Sequence, residues 1–487
     1  MKHNKKISAF NEDVLADHDA TSLKQMIVSG DVSALEVVDA SIIRSKKVHT
    51  QLNAVFSDSY ETALEKAKQL TRQPSNGAFS GVPSFIKDTD DVKGLPTTFG
   101  SAATAKTLAK KNSQFVDQYE SLGFINLGKS SLPELGLTGT TEPVAFGAAH
   151  NPWHKDYSTG GSSGGSAALV AAGVVTIAHA NDGAGSIRIP ASCCGLVGLK
   201  PTRSRLVNVD GSGIMPVNTL SQGVVTRTVR DTVAFYSAAE NYYKNPKLPA
   251  IGDITNGIRR RLKIALVTSS SGASVHKDCM DSAQKAAKLC ESLGHQVEVI
   301  QFPFSEDVLR HFYNYWGLMA FTLKNFGSSL VGKGFDKSKL EPLSHAFSDR
   351  FYRAKFTLPS MIYNLKKFSQ QYSKFFEEYD VLLSPTLATP PPKLGHLSTE
   401  IEGETAIQRL LDFIPFTPFQ NISGAPAISL PMGVSQQGLP IGIQFSAAYG
   451  QDKLLLELAL ELEQAMPWVH LNNVTDKHMN SVNSSAI

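Results

Sequence analysis

The chain has 487 residues, 42 % of them hydrophobic and 19 % charged, with a formal net charge of +3. These are ordinary proportions for a globular protein with enough apolar material for a large core, and so small a charge on so long a chain gives no electrostatic case for nucleic acid as a partner. At roughly 150 residues per domain the length would suggest three domains, but large α/β enzymes form single units of this size.

Residues 1–20 begin basic, but no apolar run follows, so no secretory signal is expected. Residues 21–72 read as two helices. Ser33 and Glu36 have capping-box spacing, with Leu35, Val38 and Ile42 recurring at helical intervals behind them, and 61–70 is the second helix. The period then changes. Gly81-Val82-Pro83-Ser84-Phe85-Ile86, ending in Lys87-Asp88, has the look of a strand entering a loop. Phe124-Ile125-Asn126-Leu127-Gly128 repeats the pattern after a helix-like 115–122. A glycine and serine loop at 160–165 precedes a small-residue helix at 166–172 and a strand at 174–180. The longest apolar stretch, 167–180, is interrupted by Gly173 and Thr176 and falls short of the ~20 residues a membrane span needs. No membrane partner is therefore expected, and the cytoplasm is the default location. Adjacent Cys193 and Cys194 are not CxxC, and with Cys279 and Cys290 they supply no zinc pattern, so buried thiols and no metal are expected.

Further along, 262–267 reads as a strand, 278–293 as an amphipathic helix ended by Gly294, and 296–300 as a strand. Residues 379–384 and 427–430 are buried strands, 439–445 hairpins back across Gln436-Gln437-Gly438, and 453–466 is a closing helix. The polar, serine- and asparagine-rich 472–487 reads as a disordered tail. Helices alternating with short buried strands, with no repeat and no long linker, argue for one large α/β domain. Residues 301–375 form a more helical, aromatic-rich excursion over one face.

Two segments carry chemical signals. Gly160-Gly161-Ser162-Ser163-Gly164-Gly165-Ser166 lacks the Gly-Lys-Ser/Thr of a phosphate loop. It reads either as a flexible loop or as rigid backbone at a helix N-terminus. In Asn181-Asp182-Gly183-Ala184-Gly185-Ser186-Ile187-Arg188-Ile189-Pro190, the small residues at 183–185 let backbone N–H groups converge beside the Ser186 hydroxyl. An oxyanion hole needs that arrangement, although a tight turn with an exposed serine has the same composition. A serine nucleophile needs a base. His179 lies in a buried strand and serves packing, and His150 and His154 flank a loop tryptophan. No GxSxG elbow is present. A Ser-Lys arrangement remains, and Lys87, at the end of an apolar strand, is placed to be uncharged, though most lysines are solvated.

Together these segments resemble the amidase signature family. Its pattern is a lysine in G-[IV]-P-x-x-x-K-D, then GGSSGGS, then D-x-G-G-S-[IV]-R-x-P. Residues 81–88, 160–166 and 182–190 match in order, with 24 positions separating Ser162 from Ser186. Gly195-Leu196-Val197-Gly198-Leu199-Lys200-Pro201-Thr202 and Thr226-Arg227-Thr228-Val229-Arg230-Asp231 extend the match over about 18–468. Two departures stand out: Ala184 where the family has glycine, and Asn181 where serine or threonine is commoner.

The resemblance implies an α/β amidase signature fold, a single large domain (18–470, after a lead-in at 1–17 and before a tail at 471–487) with a twisted mixed β-sheet core flanked by helices. It implies that Ser186 attacks an amide carbonyl and becomes the acyl-ester. Ser162, joined through a cis peptide after Gly161, passes the proton, and Lys87 is the final base. The N–H groups of Gly183, Ala184, Gly185 and Ser186 would hold the oxyanion, while Ser163, Asp182 and Arg188 brace the site. Gly139 and Thr140, in the Thr138-Gly139-Thr140-Thr141 loop, would line the substrate. The partner implied is a small-molecule amide, with no cofactor and no metal, and a homodimer is the default assembly. Phe146-Gly147-Ala148-Ala149-His150-Asn151-Pro152-Trp153, Ala191-Ser192-Cys193-Cys194-Gly195 and the 382–391 segment resemble the 6-aminohexanoate cyclic dimer hydrolase group, so linear or cyclic amides are the expected substrates. The glutamine-dependent amidotransferases that serve tRNA charging share the motifs but carry glutamine where Ile189 stands. A non-catalytic binding protein on the same scaffold would not need Lys87, Ser162 and Ser186 intact.

Overall fold

The computed structural model describes residues 5–72, 76–270 and 272–473. Three strands, β1 (Val55–Asp58), β2 (Pro83–Lys87) and β3 (Ile125–Ser130), form a small sheet in the order β1-β3-β2, with β2 parallel to β3. A short hairpin pairs β4 (His150–Asn151) with β5 (His154–Ser158). The main sheet has eight strands: β6 (Ile177–Asp182), β7 (Val197–Lys200), β8 (Ser221–Thr226), β9 (Lys263–Leu266), β10 (Gln296–Val299), β11 (Val381–Pro385), β12 (Ala427–Val434) and β13 (Pro440–Ser446). Their order is β10-β9-β11-β13-β12-β7-β8-β6. Pairing is parallel from β10 through β9 to β11 and antiparallel from there to β6, so the sheet is mixed.

The middle of this sheet is covered on both faces, which is why Lys263–Leu266 and Val381–Pro385 read as near-continuous apolar runs rather than alternating ones, whereas the edge strand β10 is partly exposed. Side chains on successive positions still leave on opposite faces. Val197, Leu199, Ile264, Leu266, Val381 and Leu383 pack into one core with the helices Val229–Ala239, Lys277–Ser292 and Asp452–Ala465. Ala178, Ala180, Val225, Ala265 and Leu382 face a second core. That core is shared with Ala34–Leu52, Gly164–Ala171 and the long helices Glu306–Leu330 and Leu358–Phe375, so residues 301–375 are largely helical and lie over that face.

Local chemistry explains several element ends. Ser33 accepts from the Glu36 N–H at 3.2 Å, and the Glu36 carboxylate accepts from the Ser33 N–H at 2.8 Å, completing the capping box. The turn at Gln436-Gln437-Gly438 does reverse the chain between β12 and β13. Residues 21–72, read as two helices, hold three (Ala20–Ser29, Ala34–Leu52, Tyr60–Arg72) and strand β1. Asn53, in the left-handed conformation at φ 47°, ends the second helix and lets the chain enter β1. The strand expected at 174–180 runs instead from Ile177 to Asp182, which carries its last residues to the functional loop. The tail expected at 471–487 lies outside the described residues from 474 onward.

The small sheet is stitched to the edge of the large one. Ser84 Oγ donates to the Ile177 carbonyl at 2.8 Å, and the Lys87 N–H donates to His179 Nδ1 at 3.1 Å. These two bonds bring the end of β2 beside the end of β6.

Candidate active site

Lys87 ends β2, and its side chain is fully buried. Its Nζ lies 2.7 Å from Ser162 Oγ, 2.9 Å from Ser163 Oγ and 2.6 Å from Asn181 Oδ1. Burial pushes the Lys87 ammonium down to about 7, against the pull of the Asp182 and Asp90 carboxylates, which favour the charged form. His179 is neutral, because burial pushes it down to about 4. With Nδ1 accepting from Lys87, its Nε2 donates to Gln222 Oε1 at 2.9 Å. The imidazole therefore fixes the Lys87 backbone, with both ring nitrogens taken by Lys87 and Gln222 and neither by Ser162, Ser163 or Ser186.

Ser162 and Ser163 lie in the glycine loop, which leads directly into the helix Gly164–Ala171. The Gly161–Ser162 peptide is cis. The loop is rigid because backbone meets backbone at close range: a Cβ on Gly161 would lie 2.4 Å from the Thr140 carbonyl oxygen, and one on Gly165 would lie 2.5 Å from the Ser131 backbone. Of the two readings of this loop, rigid backbone at a helix N-terminus is the one observed.

Ser186 follows β6 and is 7 % exposed. Its carbonyl accepts from the Ser163 N–H at 3.3 Å, which ties the two serine loops together. The loop before it is organised by Asp182, which accepts from the Gly185 N–H at 2.6 Å and the Ile187 N–H at 3.1 Å. This corrects one expected oxyanion donor: the Gly185 N–H is taken by a carboxylate. No side chain among the described residues takes the N–H of Gly183, Ala184 or Ser186. Ala184 does not have a positive φ, so its methyl costs no strain, whereas Gly185 has φ 129° and a Cβ there would strike Thr417 Oγ1 at 2.4 Å.

Arg188 braces this loop from below. It is fully buried and forms a 3.0 Å ion pair with Asp182. It also donates to Gln420, Gln444, Asn421 and the Thr417 carbonyl. Burial by itself would raise the Asp182 carboxyl, but the Arg188 guanidinium holds it down at about 2.

A narrow cavity opens at Ser186, walled by Leu137, Gly139, Ile189, Trp316, Leu410 and Ile414, and no charged side chain lines it. Gly139 is part of this lining. Thr140 is not: its hydroxyl turns away, donating to Glu142 Oε1 at 2.6 Å and meeting Ser158 Oγ at 2.7 Å, so it braces the loop instead of lining the cavity. The four cysteines are free and buried, and burial pushes Cys279 and Cys290 up to about 12. Among the described residues no group of three His, Cys, Asp or Glu side chains is placed to hold a metal ion, and no helix is long and apolar enough to cross a membrane.

Sequence reasoning missed Asn181 as a partner of Lys87, and missed Thr417, Gln420, Asn421 and Gln444 as the cradle of Arg188. The departure at 181 was the available signal for the first. For the cradle there was none, since those residues lie more than 200 positions away.

The amidase family model matches residues 36–456. The chain belongs to the amidase family. It is 43 % identical over 467 residues to "Putative amidase AmiC" of Mycobacterium leprae, covering 96 % of this chain and 99 % of that one. It is 32 % identical over 477 residues to the 6-aminohexanoate-cyclic-dimer hydrolase of Paenarthrobacter ureafaciens, covering 93 % and 95 %. The solved structure of 6-aminohexanoate cyclic dimer hydrolase complexed with substrate superposes with a TM-score of 0.82 at 30 % identity, over 93 % of this chain and 97 % of that one. This amidase is accordingly a hydrolase of carbon–nitrogen bonds with the α/β amidase signature fold, its eight-stranded mixed sheet flanked by helices.

Proposed function

We propose that this amidase cleaves small, uncharged amides through an acyl-ester on Ser186. Ser186 Oγ attacks the carbonyl carbon and gives its proton to Ser162 Oγ, whose own proton passes to the neutral Lys87 amine. The N–H groups of Gly183, Ala184 and Ser186 receive the developing oxyanion. The proton then returns along the same path to the leaving nitrogen, the C–N bond breaks, and the amine departs. Water, deprotonated by the same path, cleaves the ester and regenerates Ser186. The observation that carries this reading is the 2.7 Å contact between a fully buried Lys87 Nζ and Ser162 Oγ, beside a loop that holds Ser186 against the cavity. Asp182 and Arg188 hold that loop, the Ser163 N–H ties it to the glycine loop, and Thr141 Oγ1 pins the glycine loop at the Gly160 carbonyl and the Gly164 N–H.

The lining supports the substrate class. A cavity without charged side chains favours an apolar acyl group and offers nothing to the ammonium and carboxylate of free glutamine. Ile189, one of its walls, stands where the amidotransferase pattern has glutamine. The relative named for a cyclic dimer of 6-aminohexanoate makes linear and cyclic aliphatic amides the first compounds to try.

The test is a panel of neutral acyl amides, linear and cyclic, with L-glutamine beside them, scored by amine release. The wild type is expected to hydrolyse members of the neutral set and leave glutamine. Ser186→Ala should lose turnover by at least about 10³-fold with its melting curve unchanged, since removing such a nucleophile costs ~10⁶-fold in comparable enzymes. Retention of more than a thousandth of the rate would remove Ser186 from this role.

A further inference from the structure

Three oxygens surround Lys87 Nζ, and they are not equivalent. A protonated amine can donate to all three; a neutral amine has two N–H donors and one lone pair, so one of the three bonds must reverse. The hydrogen-bond network decides which. Asn181 Oδ1 carries no hydrogen and can only accept. Its amide is held in that orientation because Asn181 Nδ2 donates to Thr89 Oγ1 at 2.7 Å, and the Thr89 hydroxyl is itself committed to Asp90 Oδ2 at 2.9 Å. Ser163 Oγ donates its hydrogen to the Asn181 carbonyl at 3.3 Å, so towards Lys87 it too can only accept. Ser162 is the one partner free to turn its hydroxyl hydrogen towards nitrogen.

We propose that Asn181 is a positioning residue whose amide oxygen, oriented by the Thr89–Asp90 chain, holds one Lys87 N–H and so directs the amine's lone pair at Ser162. The inference rests on the base role given above to Lys87. A flipped amide would present Nδ2 to the lysine and occupy the lone pair, and the Asp90 carboxylate at the far end of the chain disfavours that flip. Asp90 is itself fixed by Ser113 Oγ at 3.1 Å and Gln222 Nε2 at 2.9 Å. The charged and titratable groups around the lysine are Asp182 at the end of β6, Asp90 after β2, neutral His179 on β6, and the ion pair of Lys129 on β3 with Asp88. Asn181 is the uncharged member of this ring nearest the amine, which makes it the position where added charge has the most direct effect.

The experiment is the pH profile of kcat/KM for an acyl 4-nitroanilide that the wild type hydrolyses, measured for Asn181→Asp and Asn181→Ala with Lys87→Ala as control. A carboxylate at 181 keeps the acceptor but binds the ammonium, so the rising limb should move at least one pH unit upward, with the high-pH plateau within about tenfold of wild type. Asn181→Ala should lower kcat at the plateau about tenfold or more while leaving KM within a factor of about three. A residue with a merely structural role would lower the rate equally at every pH. An unmoved limb in Asn181→Asp, a wild-type plateau in Asn181→Ala, or loss of folding in both would overturn the proposal. If Asn181→Asp alone fails to fold, the plateau of Asn181→Ala decides. Wild-type hydrolysis by Lys87→Ala would instead sink the base role itself, whatever Asn181 does.

Discussion

Lys87 and Lys200 are both fully buried, and burial pushes each down to about 7. What separates them is the partner: Lys200 Nζ donates to the Pro201 carbonyl at 2.7 Å, a group with no proton to give, whereas Lys87 faces the Ser162 hydroxyl. A lowered pKa marks a lysine as able to be neutral, and the neighbour decides whether neutrality is used. The sign of the pH effect follows. Below about pH 7 Lys87 is charged and cannot take a proton; above it the amine is free. The rate should therefore rise with pH through a limb near 7 and level off on the alkaline side. Lys87→Arg keeps the charge and cannot deprotonate, so its acylation rate should fall by at least about 10²-fold at every pH, the scale of general-base catalysis. Near-wild-type acylation by the arginine variant, read in single turnover, would mean that Lys87 acts through its charge.

Arg188 acts between elements. It joins the loop after β6 to the helix Pro418–Ser423 through Gln420 and Asn421, and to β13 through Gln444. Asn421 Nδ2 closes the circuit on Asp182 Oδ1 at 2.8 Å. Removing one partner of a buried pair leaves an uncompensated charge and costs about 3–5 kcal/mol, while removing both costs far less. Arg188→Met should accordingly lose about that much in denaturant unfolding, and Arg188→Met with Asp182→Asn should lose less than the single change. Equal losses would show that packing, not charge, is what Arg188 supplies. Buried polar side chains with distant partners also explain which strands are hard to read. Pro83–Lys87 and Lys263–Leu266 are apolar runs and were visible. Ser221–Thr226 and Val197–Lys200 were not read as strands, because Ser221, Gln222 and Lys200 are polar yet buried. Gln222 is satisfied by His179 and Asp90, partners 43 and 132 positions away, and no local pattern encodes such bonds.

At the scale of the whole molecule, the cavity is assembled from segments spread over most of the chain: Leu137 and Gly139, Ala184 to Ile189, Trp316, and Leu410 with Ile414. The motif-bearing walls were legible because glycine and serine at fixed spacing are rare. The helical walls were not, because Trp316, Leu410 and Ile414 sit on or at the end of amphipathic helices, where an apolar residue facing a cavity looks the same as one facing core. Trp316 is the largest of them. Its Nε1 donates to the Leu137 carbonyl at 3.2 Å, and its ring closes on Gly183, where an added Cβ would meet it at 2.7 Å. The indole therefore bounds the cavity beside Ser186 and, on the proposed acyl-ester mechanism, the space open to the acyl group. Trp316→Phe should keep the wall but drop the Leu137 bond, whereas Trp316→Ala should open it. Over a series of linear acyl 4-nitroanilides, the alanine variant should shift the kcat/KM optimum to chains at least two methylenes longer. Each methylene that newly fits is worth about 1–3 kcal/mol, or roughly tenfold and upward in relative kcat/KM. Because truncating a buried tryptophan also costs about 3–5 kcal/mol of stability, the comparison must be made well below the melting temperature, with ratios between substrates and not absolute rates. A ratio of long to short chains unchanged in Trp316→Ala would show that the acyl group does not lie against Trp316, and would leave Leu137, Ile189, Leu410 and Ile414 as the walls that measure it.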